Sequence, residues 1–295
     1  MPVLSRRAAL AGVFAGAVTL ATGTAGAADR PRKLTIGLLP TESAPTVMRL
    51  NEPLRLYLEK RLELPVELVV GANYAATSEA LRFGRLDIAY LGPVTYILQS
   101  RRAKLIPFAR PSHALVGPTF QAVIIVPAGS STRTLGDLRG KEVAFGDPAS
   151  TSGTWVPRYQ LVEAGLVAGR DYTLRVLGAH DAVALAVANG RADAGGLSLP
   201  IYNRLIREGR LDAGKVRVLA ESAPIPEYMW TFREGLDPKL REEVRRAFIG
   251  VTDPAALQVF NAEAFIPAVD SDVDRVRIWI EAIRKDSPDA VPAPQ

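Results

Sequence analysis

The sequence predicts an α/β protein of two similarly built lobes, each a mostly parallel sheet flanked by helices. Its 295 residues, 48% of them hydrophobic and 23% charged, have ordinary globular composition and suffice for about two core-forming units. Apolar runs of strand length alternate with segments of helical periodicity through most of the chain, the rhythm of strand–helix–strand units. One unit recurs. Leu81-Arg-Phe-Gly84-Arg-Leu-Asp87-Ile-Ala in the first half is matched by Val187-Ala-Asn-Gly190-Arg-Ala-Asp193-Ala in the second. Each is a Gly-stopped helix turning into a strand, and Asp87 and Asp193 are expected to cap those turns.

Taken in order, Lys33 to Leu39 alternates and then turns apolar, a buried strand ending at Pro40. A helix carrying Leu50, Leu54, Tyr57, Leu58 and Leu62 follows, then a strand over Val66–Val70 and a short helix over Thr77–Phe83. Ile88–Leu91 is the next strand, and Gly92-Pro93 opens a helix from Val94 to Arg101. Phe120–Val126 reads as one long strand, Glu142–Phe145 as another, and Thr173–Leu177 as a third. Asp181–Asn189 is helical, Ala194–Leu197 a short strand, Ile201–Arg207 a helix and Val216–Ala220 a strand. The Pro-stiffened segment Glu221–Pro226 leads to strand-like Tyr228–Phe232 and a helical tail over Pro238–Phe248, Pro254–Phe260 and Asp272–Ile283.

The ends and the charge narrow the compartment and the partners. Ser5-Arg6-Arg7 precedes an uncharged Ala/Gly/Val-rich run, and Ala25-Gly26-Ala27 fits a small-x-small cleavage site. This predicts a cleaved export signal over residues 1–27, of twin-arginine type, and a soluble periplasmic protein. Loss of Arg6 and Arg7 lowers the formal charge from +5 to +3. That mild excess suits small anions, and no basic stripe with interleaved aromatics invites nucleic acid. The absence of cysteine excludes disulfides, thiolate–zinc sites and thiol catalysis, and two separated histidines give no metal-ligand spacing. No cofactor is expected.

One stretch carries chemistry: Phe145-Gly-Asp-Pro-Ala-Ser150-Thr-Ser-Gly-Thr-Trp155. A strand runs through a turn into small hydroxylated residues at the start of a helix that Gly165 ends. Unpaired N–H groups and the positive dipole end make such a helix start a seat for an oxyanion. Read alone, Ser150 or Thr151 serves equally well as an N-cap. Trp155 is assigned to packing.

With these segments read, the chain resembles the periplasmic substrate-binding proteins of phosphonate-type ABC transporters and their phosphite- and hypophosphite-binding relatives. The resemblance spans Leu34 to Ile283. It rests on Asn73-Tyr74-Ala75, Gly84 through Pro93, Gly146 through Gly153, Gly178-Ala-His-Asp181 with Ala184–Asn189, and Ser222 through Pro226, in that order. It implies a two-lobed type II binding protein with its ligand in the interlobe cleft, monomeric, delivering a small phosphorus oxyanion to an inner-membrane ABC permease. The first lobe is expected over residues 33–122 and 226–284, the second over 123–225, with a flexible tail at 285–295. The crossings are expected near Val123–Val126 and Leu219–Pro226. Carried over by position, the resemblance implies that Ser150, Thr151, Ser152, His180, Tyr74, Thr95 and Tyr96 bind the ligand; Glu227 and Tyr228, where this chain departs from the family pattern, complete the expected set.

Three departures bear on the ligand. Phe120 stands where phosphonate binders usually carry a tyrosine, and Leu199-Pro200 where aminoalkylphosphonate binders place an acid. Pro226-Glu227-Tyr228 replaces their usual pattern at the second crossing, and there Glu227 is a candidate stand-in for the missing acid. A small ligand without an amine, phosphite or a short alkylphosphonate, is the expectation. Two alternatives share the residues. One is a sensor subunit of the same fold; the other is a serine hydrolase using Ser150 or Ser152 with His180 and Asp181, against which stand the missing Gly-x-Ser-x-Gly elbow and the adjacency of His180 and Asp181. Glu42 follows the first strand and faces the expected cleft, but its charge opposes oxyanion contact.

Overall fold

Strand β1 (Leu34–Leu38), buried at four of its five positions, is the axis of the first lobe. The computed structural model describes residues 30–286; the expected export signal and the chain beyond 286 lie outside the described residues. Helix α1 (Ala44–Leu62) carries β1 to β2 (Val66–Val70), and α2 (Tyr74–Arg82) leads on to β3 (Ile88–Leu91). β2 and β3 pair parallel with β1 from its two sides. After α3 (Pro93–Ser100), strand β4 (Leu105–Ser112) runs out to the first crossing, β5 (Thr119–Phe120).

The second lobe opens with β6 (Ala122–Pro127), then β7 (Glu142–Gly146), a π-helical turn (Thr151–Trp155) continued by α4 (Val156–Glu163), and β8 (Thr173–Gly178). It ends with α5 (His180–Ala188), β9 (Ala194–Ser198), α6 (Leu199–Arg207) and β10 (Val216–Glu221). The chain returns through β11 (Ile225–Pro226) to β12 (Met229–Arg233), α7 (Pro238–Ile249), α8 (Pro254–Gln258), β13 (Ala264–Ile266) and α9 (Asp274–Asp286). The first sheet has the order β13-β4-β12-β3-β1-β2 and the second β10-β6-β9-β7-β8. β5 and β11 pair with each other as a two-stranded ribbon between them.

Three expectations are corrected. Phe120–Val126 is two strands broken at Gln121, and the crossing lies at β5, since Val123–Val126 pairs inside the second sheet with β9 and β10. The sheets are more mixed than the strand–helix rhythm suggests. β6 and β12 run against both neighbours, and each is the strand entered directly from a crossing. β4 was not expected at all, because Pro107 and Pro111 interrupt it. Pro107 is accommodated where the register against β12 shifts, and Pro111 opposes the three-residue β13.

The repeated Gly-Arg-x-Asp unit does the same work in each lobe. Asp87 accepts from Thr35 N on β1 at 2.9 Å while its own N–H donates to Thr35 O at 2.9 Å. Asp193 exchanges the same pair with Glu142 at the start of β7, at 2.9 Å and 2.9 Å. Both aspartates thus pin the parallel strand beside them and stay clear of the cleft. Gly84 and Gly190 take φ of 71° and 65°, left-handed values that favour glycine at a helix stop.

Candidate ligand site between the lobes

β7 ends at Gly146, and Asp147-Pro148-Ala149 turns the chain into the π-helical turn. Ser150 caps that turn, its Oγ accepting from Gly153 N at 3.0 Å. Pro157 explains the wide opening turn. It offers no N–H to Gly153 O, and its ring would crowd that carbonyl in a regular α-helix. The turn closes by Trp155 N donating to Ser150 O at 3.1 Å and Val156 N to Thr151 O. Thr154 Oγ1 and Trp155 Nε1 tie the turn back to Asp147 O at 2.8 Å and Pro148 O at 2.7 Å. Trp155 is therefore packing, as expected.

Three further helix starts meet this one. Tyr74 is the first residue of α2, capped by Asn73 accepting from Ala76 N at 2.7 Å. His180 is the first residue of α5, and Pro93 opens α3. Tyr74, Ser150, Thr151, Ser152 and His180 are each no more than 1% exposed. Tyr74 Oη, Ser152 Oγ and His180 Nε2 are buried without a hydrogen-bond partner among the described residues. An unmade bond at a buried polar atom costs about 1–3 kcal/mol. Three such atoms in one place call for a functional explanation.

Their convergence is geometric. Tyr74 lies beside Ser150 and Tyr228, and Tyr228 beside Ser152, close enough for each phenol to feel its neighbours' hydroxyls. A methyl group on Gly153 would come within 2.9 Å of both His180 Cε1 and Ser150 Oγ, and one on Gly92 within 2.9 Å of Tyr228 Cζ. Burial pushes both phenol pKa values up, and the carboxylates of Asp147 and Glu227 add to the rise at Tyr228, so the hydroxyls stay protonated donors. Burial also raises the Asp147 pKa, against the two backbone N–H groups (Ala149 and Tyr74) that its carboxylate accepts.

His180 is fixed in one tautomer. Its Nδ1 accepts from Ser198 N at 3.2 Å, so the hydrogen of the neutral ring sits on Nε2, the unpartnered atom. Burial pushes its pKa down to about 4. The ring is a neutral donor aimed into the cluster. Where a Ser-His-Asp triad places a carboxylate, Nδ1 here meets the amide N–H of Ser198, and Asp181 pairs with Arg210 at 3.0 Å.

The remaining expected residues divide. Tyr228 joins the cluster, whereas Thr151 Oγ1 accepts from Val94 N at 3.0 Å, across the lobes. Thr95 Oγ1 donates to Ala149 O at 3.0 Å, so its side chain clasps the second lobe and does not point at the other hydroxyls. Tyr96 turns away altogether, donating to Asp270 Oδ1 at 2.8 Å. Glu227 is engaged by His113 Nε2 at 2.9 Å and by Tyr228 N at 3.0 Å. The other ring nitrogen of His113 meets Asn261 O at 2.7 Å. Oxygen acceptors at both nitrogens favour the imidazolium form of His113, and its pKa is raised, chiefly by Glu227. Beside the cluster, and sharing Tyr228 and Ser198 with it, lies a cavity of about 130 Å³ walled by Leu38, Tyr90, Phe120 and Pro200.

Two contributors escaped the sequence reading. Asp147 lay within the quoted motif, but only the fold shows its carboxylate reaching Tyr74 N at 3.1 Å. Ser198 acts through its backbone N–H, which leaves no trace in residue type.

Over residues 36–273 the sequence matches the family described as ABC transporter, phosphonate, periplasmic substrate-binding protein. The chain belongs to this family. The Phosphate-import protein PhnD of Mycolicibacterium smegmatis is 28% identical to this binding protein over 271 residues, 84% of each chain. A binding protein component of an ABC phosphonate transporter from Pseudomonas aeruginosa superposes with a TM-score of 0.81 at 22% identity, covering 89% of both chains. PhnD1 from Prochlorococcus marinus, in complex with methylphosphonate, gives 0.78 at 21% identity, over 87% of this binding protein and 100% of that one. At such identities the structures bear on the fold, which is the two-lobed type II architecture.

Proposed function

We propose that this binding protein captures a small phosphorus oxyanion, phosphite or a short alkylphosphonate such as methylphosphonate, and delivers it to an inner-membrane ABC permease. The observation that carries the reading is the convergence of Tyr74 Oη, Ser152 Oγ and His180 Nε2, buried and unpartnered, at the start of the helix that follows Ser150. Neutral donors and helix dipoles in a site closed to water stabilise an anion without a formal cation. Ser150, whose oxygen accepts from Gly153 N, keeps its hydroxyl hydrogen to donate to the same seat, while Thr151 holds the lobes together through Val94 N. Closure of the lobes on the ligand excludes water. Export through the signal ending near Ala27, action as a monomer and the absence of enzymatic activity belong to the same reading.

Glu227 bears on the ligand's substituent. Engaged by His113 and Tyr228 N, it has little left for a substrate amine, and Pro200 supplies no acid in its stead. The small, mostly apolar cavity beside Tyr228 suits hydrogen or methyl on phosphorus. Calorimetric titration of the protein from Ala28 with phosphite, methylphosphonate, 2-aminoethylphosphonate, phosphate and sulfate is the test. Phosphite or methylphosphonate should bind tightest and 2-aminoethylphosphonate weakly. Ser152→Ala and His180→Ala should each weaken the best ligand by about 1–3 kcal/mol, with Ser152→Ala leaving thermal stability unchanged or higher. Unaltered affinity in both variants, or tightest binding of 2-aminoethylphosphonate, would sink the assignment.

A further inference from the structure

We infer that Glu42 is a latch for the closed cleft and a positioning residue for His180. It lies in the loop between β1 and α1, in the first lobe, and its side chain is 1% exposed. Both of its carboxylate oxygens are held by guanidinium groups of the second lobe. Oε2 pairs with Arg204 on α6, and Oε1 with Arg210 just beyond that helix at 2.6 Å. Arg210 continues to Asp181 at 3.0 Å. The residue before Glu42 completes the contact: Thr41 O accepts from His180 N at 2.9 Å. Two consecutive residues of one lobe thus grip, directly or through Arg210, the first two residues of α5, whose first side chain is the neutral donor of the site.

The charges make this grip specific to closure. When the lobes part, Glu42 and both arginines regain water and the pairs lose little. When they close, a carboxylate becomes buried between two guanidiniums, with Asp181 and Glu208 as the further charges of the cluster. Removing Glu42 leaves Arg204 and Arg210 facing each other across the space it filled, with only Asp181 on Arg210 at 3.0 Å and the looser Glu208, 3.9 Å from Arg204 and 3.6 Å from Arg210, to offset them, a deficit that penalises the closed form. Closure governs release more than encounter, so the loss belongs in the dissociation rate. Glu42 reaches no hydroxyl of the ligand cluster. Its effect is transmitted through the second lobe and the start of α5.

The inference rests on the proposed binding function, and its test separates the two. Dissociation constants and stopped-flow rates for phosphite and methylphosphonate are measured on wild type, Glu42→Gln, Arg210→Gln and the double variant. Glu42→Gln is expected to raise the dissociation rate roughly 10- to 100-fold with little change in the association rate. Its unliganded melting temperature should stay at the wild-type value, and the double variant should lose less than the two singles combined. Because the chain has no cysteine, spin labels at Leu56→Cys on α1 and Leu185→Cys on α5, both exposed, report the lobe separation directly. Glu42→Gln should shift the distance distribution toward the longer population. Wild-type dissociation rates in Glu42→Gln, or identical label distances with and without the substitution, overturn the latch whatever the ligand is. A wild type that binds none of the anions defeats the functional reading alone.

Discussion

Two histidines in this protein occupy opposite electrostatic situations, and each makes its own prediction. His180, wholly buried, has its pKa pushed down from 6.5 to about 4 by desolvation. An unfolded chain takes up that proton near 6.5 while the folded one resists it, so the stability contributed is complete above about 6.5 and is lost as pH falls toward 4, by up to about 3 kcal/mol. His113 runs the other way. Its bond to Glu227 raises its pKa, so its contribution is present below about 6.5 and disappears as pH climbs through the raised value. Urea unfolding of His113→Gln and wild type across pH should show the largest gap under acidic conditions, closing as pH rises. A gap that widens with pH would reverse the protonation assigned to the pair. The hydroxyl run at Ser150–Ser152 is legible from residue types as a helix start, whereas Tyr74 and His180 follow from the resemblance; atoms of Tyr74, Ser152 and His180 are the ones that converge. The same reasoning could not tell that Tyr96, Thr95 and Glu227 also had partners elsewhere. A side chain's direction depends on distant residues such as Asp270, Ala149 and His113.

At the level of elements, the turn from β7 into α4 explains why the site exists. Its π-helical opening follows from Pro157, and its tightest point is Gly153, where Ser150 caps and His180 arrives from α5. An added methyl at that position would lie 2.9 Å from His180 Cε1, closer than side chains tolerate, with Ser150 Oγ equally near. Gly153→Ala should therefore displace the imidazole and cost more affinity than deleting the Ser152 hydroxyl, while the strands behind it keep their pairing. Titration calorimetry beside far-ultraviolet circular dichroism checks both halves, and wild-type affinity in this variant would mean that His180 does not sit over the anion. The Gly-Asp-Pro turn, the hydroxyl run and the glycine stop made this element readable from sequence, whereas the π-helical form of its first turn was not. Strand β4 marks the opposite limit, since two prolines conceal a strand that only a register shift against β12 permits.

The whole molecule is held closed by contacts of a different kind from those that face the ligand. Tyr74 N to Asp147, Val94 N to Thr151 and Thr95 Oγ1 to Ala149 O, at 3.1, 3.0 and 3.0 Å, each join one lobe to the other. The duplicated strand–helix–Asp unit made two lobes legible, but not which residues would touch across the gap, because those pairs exist only once the lobes have met. Closure enters every ligand's affinity as a common factor, since a binding-competent state populated less often scales all dissociation constants alike. Thr95 allows that factor to be isolated. Thr95→Val keeps the shape and removes the bond to Ala149 O, a loss of about 1 kcal/mol to the closed form. Dissociation constants for phosphite and methylphosphonate should rise together, by the same roughly fivefold ratio. Phe120→Leu, in the wall of the cavity beside Tyr228, should by contrast change the two ligands unequally, because their substituents differ there. Unequal ratios in Thr95→Val would return Thr95 to the ligand contacts that the resemblance implied, and equal ratios would establish it as part of the clasp.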